Sequence, residues 1–248
     1  MAVNVDTVYK TVLLILNKEQ RGYITPEEFN KIGSQVQLEI FNEYFESLNQ
    51  QLRVPANDSE YSDRIKNLEE KIAIFQEYAQ CSSNDPFILD IPVTVPPDPQ
   101  PELYKLGTVI YKDEKEVQYI QPNELLEINL SPITKPSVYW PVYTYKNFGI
   151  YVYPKTIISD ISCTYIRKPY NVVWGYKGLP TTPNAGVPWT TGPYIYDSEN
   201  SVQFDLHPTE QTNLITRILL YSGIVIKDPL IIQAAAQQIQ TETVNSKS

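Results

Sequence analysis

The chain has one histidine, one methionine, two cysteines and nine glycines among its 248 residues. Each scarcity closes a class of chemistry. With His207 as the sole imidazole, no nucleophile triad is visible. Its place directly before Pro208, at a helix entrance, favours a capping or packing role over proton transfer. Cys81 and Cys163 lie far apart, with no CxxC spacing and too few histidines for a zinc site. The expectation is two free buried thiols in a reducing or indifferent compartment, with Cys163 a core residue of a strand-like run rather than an activated nucleophile. Neither GxGxxG nor GxxxxGK[ST] occurs, and Asp113, Glu114 and Glu116 fall in a charged turn that reads as solvated rather than as an acid/base pair. Basic runs never exceed two residues, and a net charge of −9 with a pI near 4.7 argues against a phosphate-gripping surface. No apolar run reaches the roughly 18 residues of a membrane span, and no basic stretch precedes an apolar one at the N-terminus. These absences predict a soluble protein without a signal peptide, an enzymatic site, a metal or a cofactor.

The stretch Leu16 to Phe29, LNKEQRGYITPEEF, comes closest to a metal motif. On the EF-hand pattern Gly22 takes the sixth position, Ile24 the eighth and Glu28 the twelfth. Asn17, Glu19 and Arg21 then stand at the first, third and fifth, so a cation would meet a guanidinium where it needs an oxygen. A rigid corner between helices explains the same residues better. Gly22 supplies a left-handed stop, and Thr25-Pro26-Glu27-Glu28 opens the next helix as a capping box with proline at the first helical position.

Against these scarcities stand 20 prolines and 19 tyrosines. The prolines crowd between Pro86 and Pro208, and the flanking segments carry helical periodicity. Val5 to Leu16 predicts a short apolar helix. Thr25 to Leu52 predicts a long one, with Phe29, Ile32, Val36, Ile40, Phe41, Tyr44, Phe45, Leu48 and Leu52 on one side. Its other side carries Asn30, Lys31, Gln35, Gln37, Glu39, Asn42, Glu43 and Glu46, and faces water or a polar partner. A third helix is expected over about Ser59 to Gln80, with a seam of Tyr61, Ile65, Leu68, Ile72, Phe75 and Ala79. Helix returns after Pro208 and restarts at Asp228-Pro229.

Between these helical segments, Phe87–Ile91, Thr108–Tyr111, Val117–Ile120, Gly149–Pro154 and Ile161–Ile166 are rich in β-branched and aromatic residues, with a helical turn at Gln121 to Leu126. The reading is an α+β chain. Residues 1–84 and 206–248 make a helical bundle, residues 85–171 an inserted antiparallel β module, and residues 172–205 a long proline- and aromatic-rich arm.

Trp174, Tyr176, Trp189, Tyr194 and Tyr196 in that arm admit two uses. They could stack on sugar rings as a glycan- or receptor-binding platform, or anchor an extended arm on a neighbouring subunit, where such residues concentrate interface energy. The arm is favoured, since clustered polar partners for a sugar are lacking. Arg167 and Lys168 are candidate ionic partners of an acidic neighbour.

Three segments carry a resemblance: VYKTVLLILNKEQRGYITPEEFN with QVQLEIFNEYF, YIRKPYNVVWGY, and FDLHPTEQTNLITRILLYSGIVIKDPLI. They resemble structural ring proteins of tailed bacteriophages, most of all the neck and tail ring proteins of crAss-like short-tailed phages. The likeness implies a virion head-to-tail connector that assembles in the host cytoplasm, joins the portal and other neck or tail rings, and lets DNA pass without tight binding. It also implies a homo-oligomeric ring of about twelve copies, with an arm embracing the next subunit. No catalytic residue is carried over.

Overall fold

The computed structural model describes residues 2–18, 23–53, 59–83, 86–91, 102–178, 194–226, 233 and 236–241. Helix α1 (Val5–Lys18) starts where the Asn4 side chain accepts the Thr7 backbone N–H at 3.0 Å, and it buries Val5, Val8, Tyr9, Val12, Leu13 and Leu16. Helix α2 (Pro26–Arg53) opens with a reciprocal cap. The Thr25 N–H donates to Glu28 Oε2 at 2.9 Å, and the Glu28 N–H donates to Thr25 Oγ1 at 3.3 Å. Ile24 and Phe29, at the two staple positions around this cap, are both buried.

The cap predicts a pH effect of definite sign. The Thr25 backbone N–H, and then its hydroxyl, hold the Glu28 carboxyl below the usual glutamate range. A depressed carboxylate contributes stability above its unfolded pKa and loses it as pH falls through the folded value. Thr25→Ala should cost about 1 kcal/mol at neutral pH, and in acid the difference from wild type should shrink without vanishing, because the hydroxyl bond to the Glu28 carboxylate is lost there while the bond from the Glu28 N–H to Thr25 Oγ1 does not titrate. Urea midpoints at several pH values check this, and a difference that grows as pH falls would count against it.

The described residues form two compact units. The first draws on those up to Ile74 and from Pro169 onward. It holds α1, α2, α3 (Ser59–Ala73), the two-stranded sheet β7 (Tyr176–Gly178) and β8 (Tyr194–Tyr196), a 3-10 turn (Pro208–Glu210) and α5 (Gln211–Ile226). His207 caps that turn by accepting the Thr209 N–H. Polar side chains join α2 to α5: Arg217 donates two 2.7 Å bonds to Glu43, and the Tyr221 hydroxyl donates to Glu39 at 2.6 Å. Lys71 of α3 pairs with Glu210 at 2.5 Å and lies over the Tyr44 ring.

The second unit draws on the described residues from Phe75 to Lys168. Its curled six-stranded sheet runs in the order β1 (Gln76–Gln80), β6 (Ile161–Arg167), β2 (Leu103–Tyr111), β3 (Lys115–Tyr119), β4 (Val142–Lys146), β5 (Gly149–Tyr153). Residues 86–90 bond to both edges: Phe87 exchanges two backbone bonds with Ile150, and Asp90 N–H donates to Gln80 O. The ends of the sheet are thereby bridged, so neither presents a bare row of backbone groups over that stretch. The buried face holds Phe87, Val109, Val117, Ile150, Val152, Ile161, Cys163 and Tyr165.

Three sequence expectations are corrected. The third helix ends at Ala73, and Phe75 and Ala79 serve the sheet, because β1 pairs with β6 in the register Ala79↔Cys163. Glu77 interrupts the apolar alternation of this strand, and its carboxylate is taken by the Tyr165 hydroxyl at 2.6 Å and by Arg167 Nε at 2.8 Å. The β module is not wholly antiparallel. β3 and β4 pair in parallel, because α4 (Pro122–Leu130) and the loop after it form the crossover that parallel strands require. Finally, residues 172–178 and 194–205 do not form a projecting arm. Val172, Trp174 and Phe204 are buried in the first unit, and Val173 bridges Val202. The span 179–193 lies outside the described residues.

Candidate interaction surfaces

The polar side of α2 finds its partner within the chain. Asn30 Oδ1 accepts the Trp174 N–H at 2.7 Å, Ser34 Oγ accepts the Val172 N–H at 3.0 Å, and Gln37 Nε2 donates to Tyr170 O at 2.7 Å. Helix residues at steps of four and three thus meet every second residue of an extended segment. Gln37 Oε1 also accepts the Asp205 N–H at 2.8 Å, which explains why a glutamine on the polar face of α2 is buried.

This segment delivers Trp174 to the core. Its ring lies 4.4 Å from Tyr9, 5.8 Å from Tyr196 and 6.1 Å from Tyr176, centroid to centroid. Its indole N–H donates to Asp6 Oδ1 at 3.2 Å. Close packing continues at Gly175, where an added Cβ would sit 2.6 Å from Asn200 O. Trp174 is therefore not an anchor offered to a neighbour, and a sugar-stacking platform loses one of its two indoles. Tyr176, Tyr194 and Tyr196 are partly exposed on the β7–β8 ribbon, where Tyr176 and Tyr194 meet edge to face at 4.7 Å. Trp189 lies outside the described residues.

Arg167 is likewise turned inward. It is buried, paired with Glu77 and stacked 5.7 Å from the Phe75 ring, so it is not available to an acidic neighbour. Lys168 keeps an exposed pairing with Glu102 at 2.9 Å. Thr25, Pro26 and Glu28 stand at the start of α2 as described, while Glu19, Arg21 and Gly22 lie outside the described residues.

Among the described residues no group of three or more His, Cys, Asp or Glu side chains could hold a metal ion, and no helix is long and apolar enough to cross a membrane. Asp113 accepts the Tyr78 hydroxyl at 2.6 Å and the Ser162 hydroxyl at 3.0 Å, bonds that hold its carboxyl below the usual range. This fixes the β2–β3 turn rather than preparing an acid. In the first unit Tyr44 lies close to Glu210 but outside hydrogen-bond geometry, and its phenol is pushed up by burial and then by that carboxylate.

Among the described residues, the densest run of exposed apolar side chains lies elsewhere, on α4 and the loop after it. Leu126 is 69% exposed, Leu130 85%, Ile133 93%, Tyr139 76% and Trp140 82%. Five large apolar side chains so exposed within fifteen residues exceed the scattered apolar exposure of an ordinary surface. The loop is ordered locally, since Ser137 and Trp140 exchange backbone bonds at 3.3 and 3.1 Å and Lys115 stacks 5.0 Å from the Tyr139 ring. Sequence reasoning passed over this surface, although a signal was present. In PNELLEINL the apolar residues Leu125, Leu126, Ile128 and Leu130 surround a short helix, which buries Leu125 and half-buries Ile128 against one small cluster. The remaining two had to face outward. A search of protein-family models and of curated proteins finds no match to this chain.

Proposed function

We propose that this protein is a structural subunit of a ring at the neck or tail of a tailed bacteriophage, joining the portal to the tail. The resemblance of three segments to such ring proteins suggests the class, and the observation that carries the reading is the exposed apolar surface Leu126, Leu130, Ile133, Tyr139 and Trp140. A closed ring requires each copy to present two different complementary surfaces. On this reading α4 and its following loop form one of them. The helices from the two ends of the chain form a bundle that supports the portal-facing side, and the tyrosines of the β7–β8 ribbon lie near the second surface. The acidic excess suits a channel, because a lumen that repels phosphate lets the duplex slide. Retention of duplex DNA by the assembled ring at physiological salt would contradict that part.

The test is the mass of the purified protein, alone and with portal, by light scattering or native mass spectrometry. The expected result is a closed ring of about a dozen copies, alone or templated by portal. The double variant Leu130→Glu with Ile133→Glu should remain monomeric under the same conditions. Its thermal midpoint should stay within a few degrees of wild type, because both side chains are already in water. A wild-type protein that stays monomeric with no affinity for portal would overturn the proposal.

A further inference from the structure

In the second unit the two cysteines meet. The Cys81 N–H donates to Ile161 O at 2.9 Å, and Ala79 pairs with Cys163, so Cys81 and Cys163 are diagonal neighbours across adjacent antiparallel strands. Both thiols belong to the buried side of the sheet, where Cys163 sits in the core and Cys81 packs against it half-buried. Their sulfurs are 3.8 Å apart. Backbone bonds hold Cys81 from two sides, through Ile161 on β6 and through the bridge to Leu89. We propose that Cys81 and Cys163 form an oxidisable dithiol that closes an intramolecular disulfide between the residue following β1 and strand β6 on reaction with a low-molecular-weight disulfide such as oxidised glutathione.

The surroundings fix the order of events. Cys81 is the more accessible sulfur, and the hydrogen bond that the Cys163 thiol gives once Cys81 is a thiolate lowers the Cys81 thiol below its ordinary value. The same pairing, and then burial, push the Cys163 thiol up, so it is not the first to react. The Cys81 thiolate attacks one glutathione sulfur. The glutathione S–S bond breaks, its leaving thiolate takes up the proton that Cys81 shed, and a mixed disulfide stands on Cys81. The Cys163 sulfur then attacks Cys81 Sγ and displaces the second glutathione thiolate, which takes up the Cys163 proton. Two protein thiols lose two electrons to become one disulfide, and one glutathione disulfide becomes two thiols. The sulfurs must approach from 3.8 Å to bonding distance, about 2 Å. Because diagonal neighbours on paired strands stand about 7–8 Å apart, closure also draws the two backbones together. This inference concerns the second unit alone and does not depend on the ring reading.

The experiment treats the native full-length protein with oxidised glutathione, then counts free thiols and maps peptides without reduction. The expected result is joint loss of both thiols, a linked Cys81–Cys163 peptide, and a thermal midpoint raised by roughly 10 °C that dithiothreitol reverses. Cys163→Ala should stop at a single glutathione on Cys81, and Cys81→Ala should leave Cys163 unmodified. The wild-type peptide map decides the matter even if a variant folds poorly. Accumulation of glutathione on wild-type Cys81 without closure, disulfide-linked dimers, or thiols that react only in the denatured chain would each overturn the proposal.

Discussion

Replacing Trp174 with alanine is expected to cost the first unit about 4 kcal/mol, the range for a buried aromatic truncated in a close-packed core. The indole is fully buried among Tyr9, Tyr176 and Tyr196, and its N–H is satisfied by Asp6. Truncation removes the aromatic contacts and leaves the Asp6 carboxylate without that donor, with the Lys10 partner at 2.6 Å remaining. The anchoring of the segment to α2 through the Trp174 and Val172 backbone N–H groups is retained, so Trp174→Phe should recover more than half of the loss. Urea denaturation of both variants provides the measurement. The result also separates two roles for this residue. An interface anchor, once truncated, would weaken association and leave subunit stability alone. A shift under about 1 kcal/mol with impaired association would return Trp174 to the interface and contradict the core assignment.

Phe87→Ala is expected to have a similar effect on the second unit, again about 4 kcal/mol. Phe87 is buried in the sheet core, and its backbone exchanges bonds of 2.9 and 2.8 Å with Ile150 of β5. The adjoining residues bond to the β1 edge, with Ser82 N–H donating to Ile88 O at 2.8 Å and Asp90 N–H to Gln80 O at 2.9 Å. The side chain therefore holds in place the segment that bridges the two ends of the sheet. Alanine keeps the backbone donors but removes the packing that positions them, so amides of residues 87, 90 and 150 should lose hydrogen-exchange protection before those of β2 and β6. Uniform loss of protection across the sheet would show that the segment does not open separately. Unchanged stability would show that Phe87 does not hold it.

Wherever the decisive interactions lie within a few residues of one another, the sequence was readable. The start of α2 depends on Thr25, Pro26 and Glu28, all in one turn, and on an apolar period that α2 itself presents. The cap role of His207 is local in the same way, through Thr209. The strands β2, β3, β5 and β6 announced themselves by β-branched and aromatic runs. β4, reading VYTYK, carries the same signal and was passed over, while its parallel pairing with β3 was not legible because it depends on a crossover that brings together residues distant in sequence. Nor was β1. Phe75 and Ala79 continue the helical spacing of α3, and only the partner strand β6, some eighty residues away in sequence, overrides that period.

For the candidate surfaces the division is sharper. Composition and spacing determined which broad segments of the chain are helical and which are β-rich. They could rank tyrosine and tryptophan as adhesive, but not say which of them is already satisfied. Burial is a property of what packs against a residue, so only the tertiary structure placed Trp174 against Tyr9, turned Arg167 to Glu77, left Trp140 in water and set the sulfur of Cys81 beside that of Cys163.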